Sequence, residues 1–222
     1  LPLHKALNEI AQTEGFASWS LLSSKVSTST AQPSKSSDLY NSLAPGDLLL
    51  IGARPKQGKT REALALAIQS MQAGHRAKFY SLDYNTTDLD ALFEHLGQAR
   101  SNFAGVFEFD NSDDISSDCI IGQLRDVAPS TLVVVDYLQQ LDEQRSKPSL
   151  ATQIAQLRAF AKQSGTIFVF LSQVHRRYEE STRSLPNMND IRLPNPLDLA
   201  LFDQACFLQG LPIAGNAIIR CR

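Results

Sequence analysis

The stretch Leu48–Thr60, LLLIGARPKQGKT, turns from four apolar residues into a loop that ends Gly58-Lys59-Thr60. It reads as a buried strand running into a phosphate-binding loop. Such a loop needs inward-pointing backbone N–H groups, a lysine for the terminal phosphates and a hydroxyl for Mg²⁺. It also needs a helix whose N-terminus faces the anion. Gly58 permits the tight backbone, Lys59 supplies the charge, and Thr60 supplies the hydroxyl and opens the helix. The residues expected to hold the nucleotide are Ala53, Arg54, Pro55, Lys56, Gln57, Gly58, Lys59 and Thr60. The usual pattern begins with glycine where this chain has Ala53, with Gly52 one place earlier. Alanine suffices there if the position needs no positive φ. A bare Gly-Lys-Thr also occurs in ordinary turns; the strand before it and the helix after it supply the context that phosphate binding needs.

Outward from the loop, strand and helix signals alternate. Strands are expected at Asp47–Ala53, Ala77–Asp83, Gly105–Asp110, Thr131–Tyr137 and Thr166–Gln173, with a final pair over Asp203–Gly210 and Asn216–Arg222. Helices are expected at Lys59–Gly74, from a capping Thr86 to Gly97, at Ser116–Ala128 and at Ser149–Gly165. That order implies an α/β fold, a mostly parallel twisted sheet flanked by helices. Residues 1–22 read as a short helical appendage, residues 23–38 as a Ser/Thr-rich linker, and residues 39–222 as the main domain. Docking of the appendage on the core or a partner competes with a frayed helical hairpin.

The chain of 222 residues suits one large domain, and its net charge of -2 carries no global basic field for nucleic acid. Cys119, Cys206 and Cys221 match no metal-ligand spacing and read as reduced thiols of a cytoplasmic protein. No apolar run reaches the roughly 18–20 residues of a membrane span.

A nucleotide-hydrolysing site also needs carboxylates at strand ends beside the loop. Asp136 closes a very apolar strand, where solvation alone explains it poorly, and is the candidate Mg²⁺ ligand with Thr60. Asp83 is the candidate general base; a helix N-cap is its other reading. Gln173 is the candidate γ-phosphate sensor, against a plain strand-end polar group. The segment Val174–Arg192, VHRRYEESTRSLPNMNDIR, carries Arg176, Arg177 and Arg183 as DNA contacts, with Tyr178 as a stacking surface and with His175 and Arg192 adding positive charge. Glu179, Glu180 and Asp190 largely cancel that charge, as in an ordinary solvated loop.

Together GDLLLIGARPKQGKT, FYSLD, VVVDYLQQL and FLSQVHRRYEE with NMNDIR resemble the ATPase domain of the DnaB-type replicative helicases, a RecA-like P-loop fold. The resemblance covers about Leu43 to Leu208. Ala-Arg-Pro before Gly-Lys-Thr is typical of that branch and accounts for Ala53. Asp-Tyr-Leu-Gln, Leu-Ser-Gln and Asp-Ile-Arg are further markers. The resemblance implies ATP and Mg²⁺ as ligands, hydrolysis as the reaction, and single-stranded DNA and a homo-oligomer or a partner protein as associates in DNA replication or related DNA metabolism. It assigns Lys59 and Thr60 to the phosphates and metal, Asp136 to the metal and Gln173 to the γ-phosphate. Three departures matter. The family's catalytic Glu is Asp83, one methylene shorter. Its Gly-Ala-Ile-Glu-Gln-Asp-Ala-Asp stretch is echoed only by Asp203, Gln204 and Ala205. Its cross-subunit arginine has only Arg220 and Arg222 as weak counterparts. Residues 1–22 are too short to replace the family's N-terminal helical primase-binding domain. A non-motor ATP-binding regulator or adaptor is the rival reading, and a small-molecule P-loop kinase a more distant one.

Overall fold

A strand sends successive side chains to opposite faces, so an apolar run without polar alternation needs cover on both sides. The computed structural model, which describes residues 36–113, 115–142, 147–180, 185–193, 195–210 and 217–221, supplies that cover. The chain divides into two units, Leu1–Pro33 and Ser34–Arg222. The first unit, and with it the expected appendage, lies outside the described residues. The second begins inside the expected 23–38 linker, whose last three residues enter helix α1 (Ser36–Ser42).

Among the described residues seven strands form one sheet in the order β3-β2-β4-β5-β1-β6-β7. They are β1 (Leu48–Ala53), β2 (Ala77–Ser81), β3 (Phe107–Asp110), β4 (Leu132–Asp136), β5 (Ile167–Gln173), β6 (Gln204–Gly210) and β7 (Ala217–Cys221). All neighbours are parallel except β6 and β7, the expected final pair. The helices after α1 are α2 (Lys59–Gln72), α3 (Thr86–His95), α4 (Ser117–Gln123) and α5 (Leu150–Ser164). Strand parity sorts the core into two layers. Leu49, Ile51, Val134, Val169 and Leu171 share one layer with Leu64 and Ile68 of α2. Leu48, Leu50, Val133, Val135, Phe168 and Phe170 share the other with Ile154 and Leu157 of α5.

Local chemistry ends the helices. Gly58 caps α2 at φ 88°. Asn85, not Thr86, caps α3: its side chain accepts from the N–H groups of Thr87 and Asp88, and the Asp88 side chain accepts from the Asn85 N–H. Gly165 ends α5 at φ 74°, the left-handed region that favours glycine.

Asp203, one of the three echo residues, is a structural knot. Its carboxylate accepts from the Leu48 N–H at 3.0 Å, from Arg158 at 3.0 and 3.1 Å and from Lys162 at 3.2 Å, joining β1, α5 and the start of β6. Burial opposes its ionisation, but those hydrogen bonds together outweigh burial and hold the carboxyl below its ordinary range. Against the expectation of three reduced thiols, Cys206 is disulfide-bonded, and the strand register sets it across from Cys221, whereas Cys119 is in no disulfide. Among the described residues no helix is long and apolar enough to cross a membrane.

Gly52 is required by packing. A Cβ there would lie 2.8 Å from both Ile191 Cδ1 and Phe207 Cε1. Gly52→Ala is therefore expected to cost about 1–3 kcal/mol in chemical denaturation, the usual penalty of overpacking a filled core. A midpoint unchanged from the parent would show that the core yields freely there.

Candidate nucleotide site

The parallel register brings the carboxyl ends of four strands level. Ala53 pairs with Gln173, and Asp136 pairs with Leu171 on one side and Ser81 on the other. Ala53 is the last residue of β1 and its methyl is fully buried, so the loop proper is Arg54–Gly58, leading into Lys59 and Thr60. Lys56 and Gly58 both take positive φ, 62° and 88°. An added Cβ at Gly58 would meet nothing within 4 Å, so backbone conformation and not space selects glycine. The chain thereby wraps onto the N-terminus of α2, where helix N–H groups lack intrahelical partners.

Below the loop, Thr60 Oγ1 donates to Asp136 Oδ2 at 2.8 Å. Asp136 is 3% exposed. Burial pushes its carboxyl up to about 6, against the pull of the Thr60 hydroxyl and the Lys59 charge, and Asp83 pushes the same way as burial. Lys59 is partly buried, not the exposed residue that its loop position suggests; burial lowers its pKa, while Asp136 and Asp83 raise it and Arg54 lowers it. These four residues thus share one electrostatic environment. A hydroxyl and a carboxylate are hard oxygen donors, and a buried carboxylate disfavoured in its charged form is a natural partner for a cation. Mg²⁺ takes one or two protein oxygens and keeps several waters, which fits this pair. The Asp136–Tyr137 peptide is cis.

Asp83 lies two residues beyond β2 instead of at its end, and its side chain is exposed. Its N–H donates to Ser81 Oγ at 3.2 Å. Since Asn85 caps α3, the helix-cap reading of Asp83 falls. Gln173 ends β5 with its side chain partly exposed, and Arg192 reaches its Oε1 at 3.4 Å. Arg54 donates from the phosphate loop to the Val174 carbonyl at 3.1 Å. Arg54, Pro55, Gln173, Val174, His175, Arg176 and Arg192 line a cleft of about 410 Å³, with no carboxylate among the described residues of its wall.

The basic segment differs from expectation at one residue. Tyr178 is only 8% exposed and packs in the core beneath the sheet, so it is not a stacking surface for bases. A tyrosine two residues after Arg176 in a short 3-10 turn (Arg176–Glu180) lands inward, which charge pattern alone does not reveal. Arg176 and Arg177 are exposed. Arg183 and Arg222 lie outside the described residues, as does the side chain of Arg220. Sequence reasoning missed the Arg54–Val174 and Arg192–Gln173 contacts, although all four residues stand inside the quoted markers.

The sheet order and the glycine-turned loop before α2 are those of a RecA-like P-loop fold. A family model described as the DnaB-like helicase C terminal domain matches residues 106–195. The chain is 28% identical over 212 residues to the replicative DNA helicase DnaB of Mycoplasma genitalium, covering 76% of this chain and 44% of that protein. It is 25% identical over 200 residues to the DnaB of Mycoplasma pneumoniae, covering 71% and 42%. Thus the chain spans less than half the length of these curated relatives. A solved ATPase domain superposes with TM-score 0.63 at 20% identity, covering 85% of this chain and 80% of that one. A structure of a DnaB-like replicative helicase, reported with its interactions with primase, superposes with TM-score 0.60 at 19% identity, covering 80% and 55%. The particular likeness read from the motifs, to the ATPase domain of DnaB-type helicases, therefore stands.

The buried carboxylate carries a stability consequence. Its folded pKa of about 6 lies above the ordinary 3.8, so the folded state holds the extra proton between these values. Stability falls as pH rises through that window, by roughly 3 kcal/mol at 1.36 kcal/mol per unit. Asp136→Asn keeps an acceptor for Thr60 and removes the charge. Without nucleotide or metal, it is expected to stabilise the domain by about 1–3 kcal/mol at pH 7 and to lose that advantage near pH 4. Thermal melts across pH check this; an Asn variant less stable at pH 7 contradicts it.

Proposed function

We propose that this domain binds ATP with Mg²⁺ and hydrolyses it, as a helicase-type ATPase that engages single-stranded DNA in replication or related DNA metabolism. The observation that carries the reading is the Thr60–Asp136 contact at 2.8 Å under a loop that delivers Lys59 to the same place. Loop N–H groups and the α2 N-terminus bind the phosphates. Lys59 offsets negative charge on the transferred group, and Thr60 and Asp136 hold the metal. Bound there, Mg²⁺ supplies neutralisation of phosphate charge. Water attacks the γ-phosphorus, the bond from phosphorus to the bridging oxygen breaks, ADP departs, and the water proton passes to Asp83. Gln173 reads the γ-phosphate by hydrogen bonding. DNA phosphates would lie along Arg176 and Arg177 and the cleft beside them, with no aromatic stacking from Tyr178. A homo-oligomer, or a partner docked on residues 1–22, would complete the assembly, and a cytoplasmic setting goes with this role.

Lys59→Ala is expected to lose ATP affinity or turnover at least tenfold while keeping the wild-type melting curve, since the lysine acts on phosphate charge. Isothermal titration with ATP checks it, and parental affinity in the variant removes the phosphate-loop assignment. Asp83→Asn should lower turnover, whereas Asp83→Glu should preserve or raise it, because the longer side chain carries the base nearer its water. Equal rates in all three proteins relieve Asp83 of any part in proton transfer.

Hydrolysis by the isolated chain should be slow and duplex unwinding absent. A cross-subunit arginine contributes about 10³–10⁵ in rate where one acts, and none is identified here among the described side chains. Turnover with and without single-stranded DNA at several salt concentrations tests the motor reading, since DNA stimulation should fade steeply with salt. Tight ATP binding without turnover under every condition selects the adaptor reading instead.

A further inference from the structure

The Asp-Tyr-Leu-Gln marker lends Asp136 to the nucleotide site, but its glutamine has had no role so far. Gln139 stands in a 3-10 turn (Leu138–Asp142) directly after β4 and is 8% exposed. Its side-chain nitrogen donates to Ser172 Oγ at 3.0 Å and to the Arg192 carbonyl at 2.5 Å. A backbone carbonyl can only accept, so the nitrogen of the amide must face it. The amide oxygen is left buried with no hydrogen-bond partner among the described residues. A buried unpaired carbonyl destabilises the fold, and an apolar side chain would fill the same space without that cost. The donor end is therefore what this position needs.

Both ends of the basic segment are held from the nucleotide site. Arg54 of the phosphate loop binds the Val174 carbonyl at its start, and Gln139 binds the Arg192 carbonyl at its return. A bridge between Val174 and Ile191 closes the segment between these grips. Arg192 in turn meets Gln173 twice: its N–H donates to the Gln173 carbonyl at 2.8 Å, and its guanidinium reaches Gln173 Oε1 at 3.4 Å.

We propose that Gln139 is a positioning residue that ties the Asp136 strand to the 174–192 segment. By gripping the Arg192 carbonyl it fixes where the Arg192 guanidinium meets the Gln173 side chain, so Asp136, Gln173 and the exposed arginines share one mechanical unit. The tie deepens the nucleotide-site reading and rests on it for its purpose, but the contact itself can be tested without nucleotide.

The experiment is amide hydrogen exchange on the full chain, comparing the parent with Gln139→Met and Ser172→Ala. Methionine keeps length and flexibility and removes the donor. The amides of His175 and Arg192, which donate to Asp190 and Gln173, report on the closed segment. Gln139→Met should speed their exchange about fivefold to tenfold, the scale of one net hydrogen bond, with β4 and α5 unchanged. Ser172→Ala should leave them near the parental rate. Unchanged exchange at both amides in Gln139→Met overturns the proposal. So does a rise throughout the sheet, which makes Gln139 a general core residue, or an equal effect from Ser172→Ala. In turnover assays the same variant should lower kcat while keeping KM for ATP within about twofold, and a raised KM at full kcat counts against it. Failure of the nucleotide reading itself would appear in the Lys59→Ala titration and leave the exchange result standing.

Discussion

Asp136 is a carboxylate held at the end of an apolar strand, 3% exposed, with the Thr60 hydroxyl donating to it. The fold does not benefit from placing it there. Burial opposes its ionisation, and the donor from Thr60 does not restore what water would give. The rest of the site follows from tolerating that charge. Thr60 must open α2 directly beneath the loop, so Gly58 must turn the chain at positive φ. β1 must stand two places from β4 with only β5 between them, so the chain crosses over from β1 to β2 and returns. Lys59 then enters the same environment as the carboxylate it offsets. A group that weakens the empty fold and fits a hard cation is the sign of a site shaped for its ligand.

The same logic extends to the basic segment. Its charge is poor for a nucleic-acid loop, and its one aromatic residue is spent on the core. Its position is informative where its composition is not. Anchored at Val174 and Arg192 through their carbonyls, it is held by hydrogen bonds that leave its own guanidiniums free to point outward at Arg176 and Arg177. Whatever meets those arginines does so next to Gln173 and the phosphate loop, with Arg54 and Arg192 in the wall of the shared cleft.

Much of this was legible in the sequence, for identifiable reasons. Apolar runs such as LVVVD and IFVFLSQ permit only a two-sided sheet, and the Gly-Lys-Thr loop between a strand and a helix has few other meanings. The misses share a physical cause: they depend on side-chain direction or on pairing across long separations. Tyr178 differs from a stacking residue only in the phase of a short turn. Asn85 takes the cap from Thr86 because the helix starts one residue earlier than composition suggests. Gln139 and Arg192 are 53 residues apart, and nothing in either local pattern announces that one amide grips the other's carbonyl. Cys206 faces Cys221 across the register in which β6 and β7 pair, which spacing between cysteines does not encode.

The central claim is that Thr60 and Asp136 together form the cation seat of a nucleotide site. The most direct test is a double-mutant cycle with Thr60→Ala and Asp136→Asn. It reads the gain in ATP affinity on adding Mg²⁺, measured by calorimetry for all four proteins. The account predicts that each substitution alone removes most of the gain and that the pair together removes little more, a strongly non-additive result. A full Mg²⁺ gain retained in the double variant would place the cation elsewhere and contradict it.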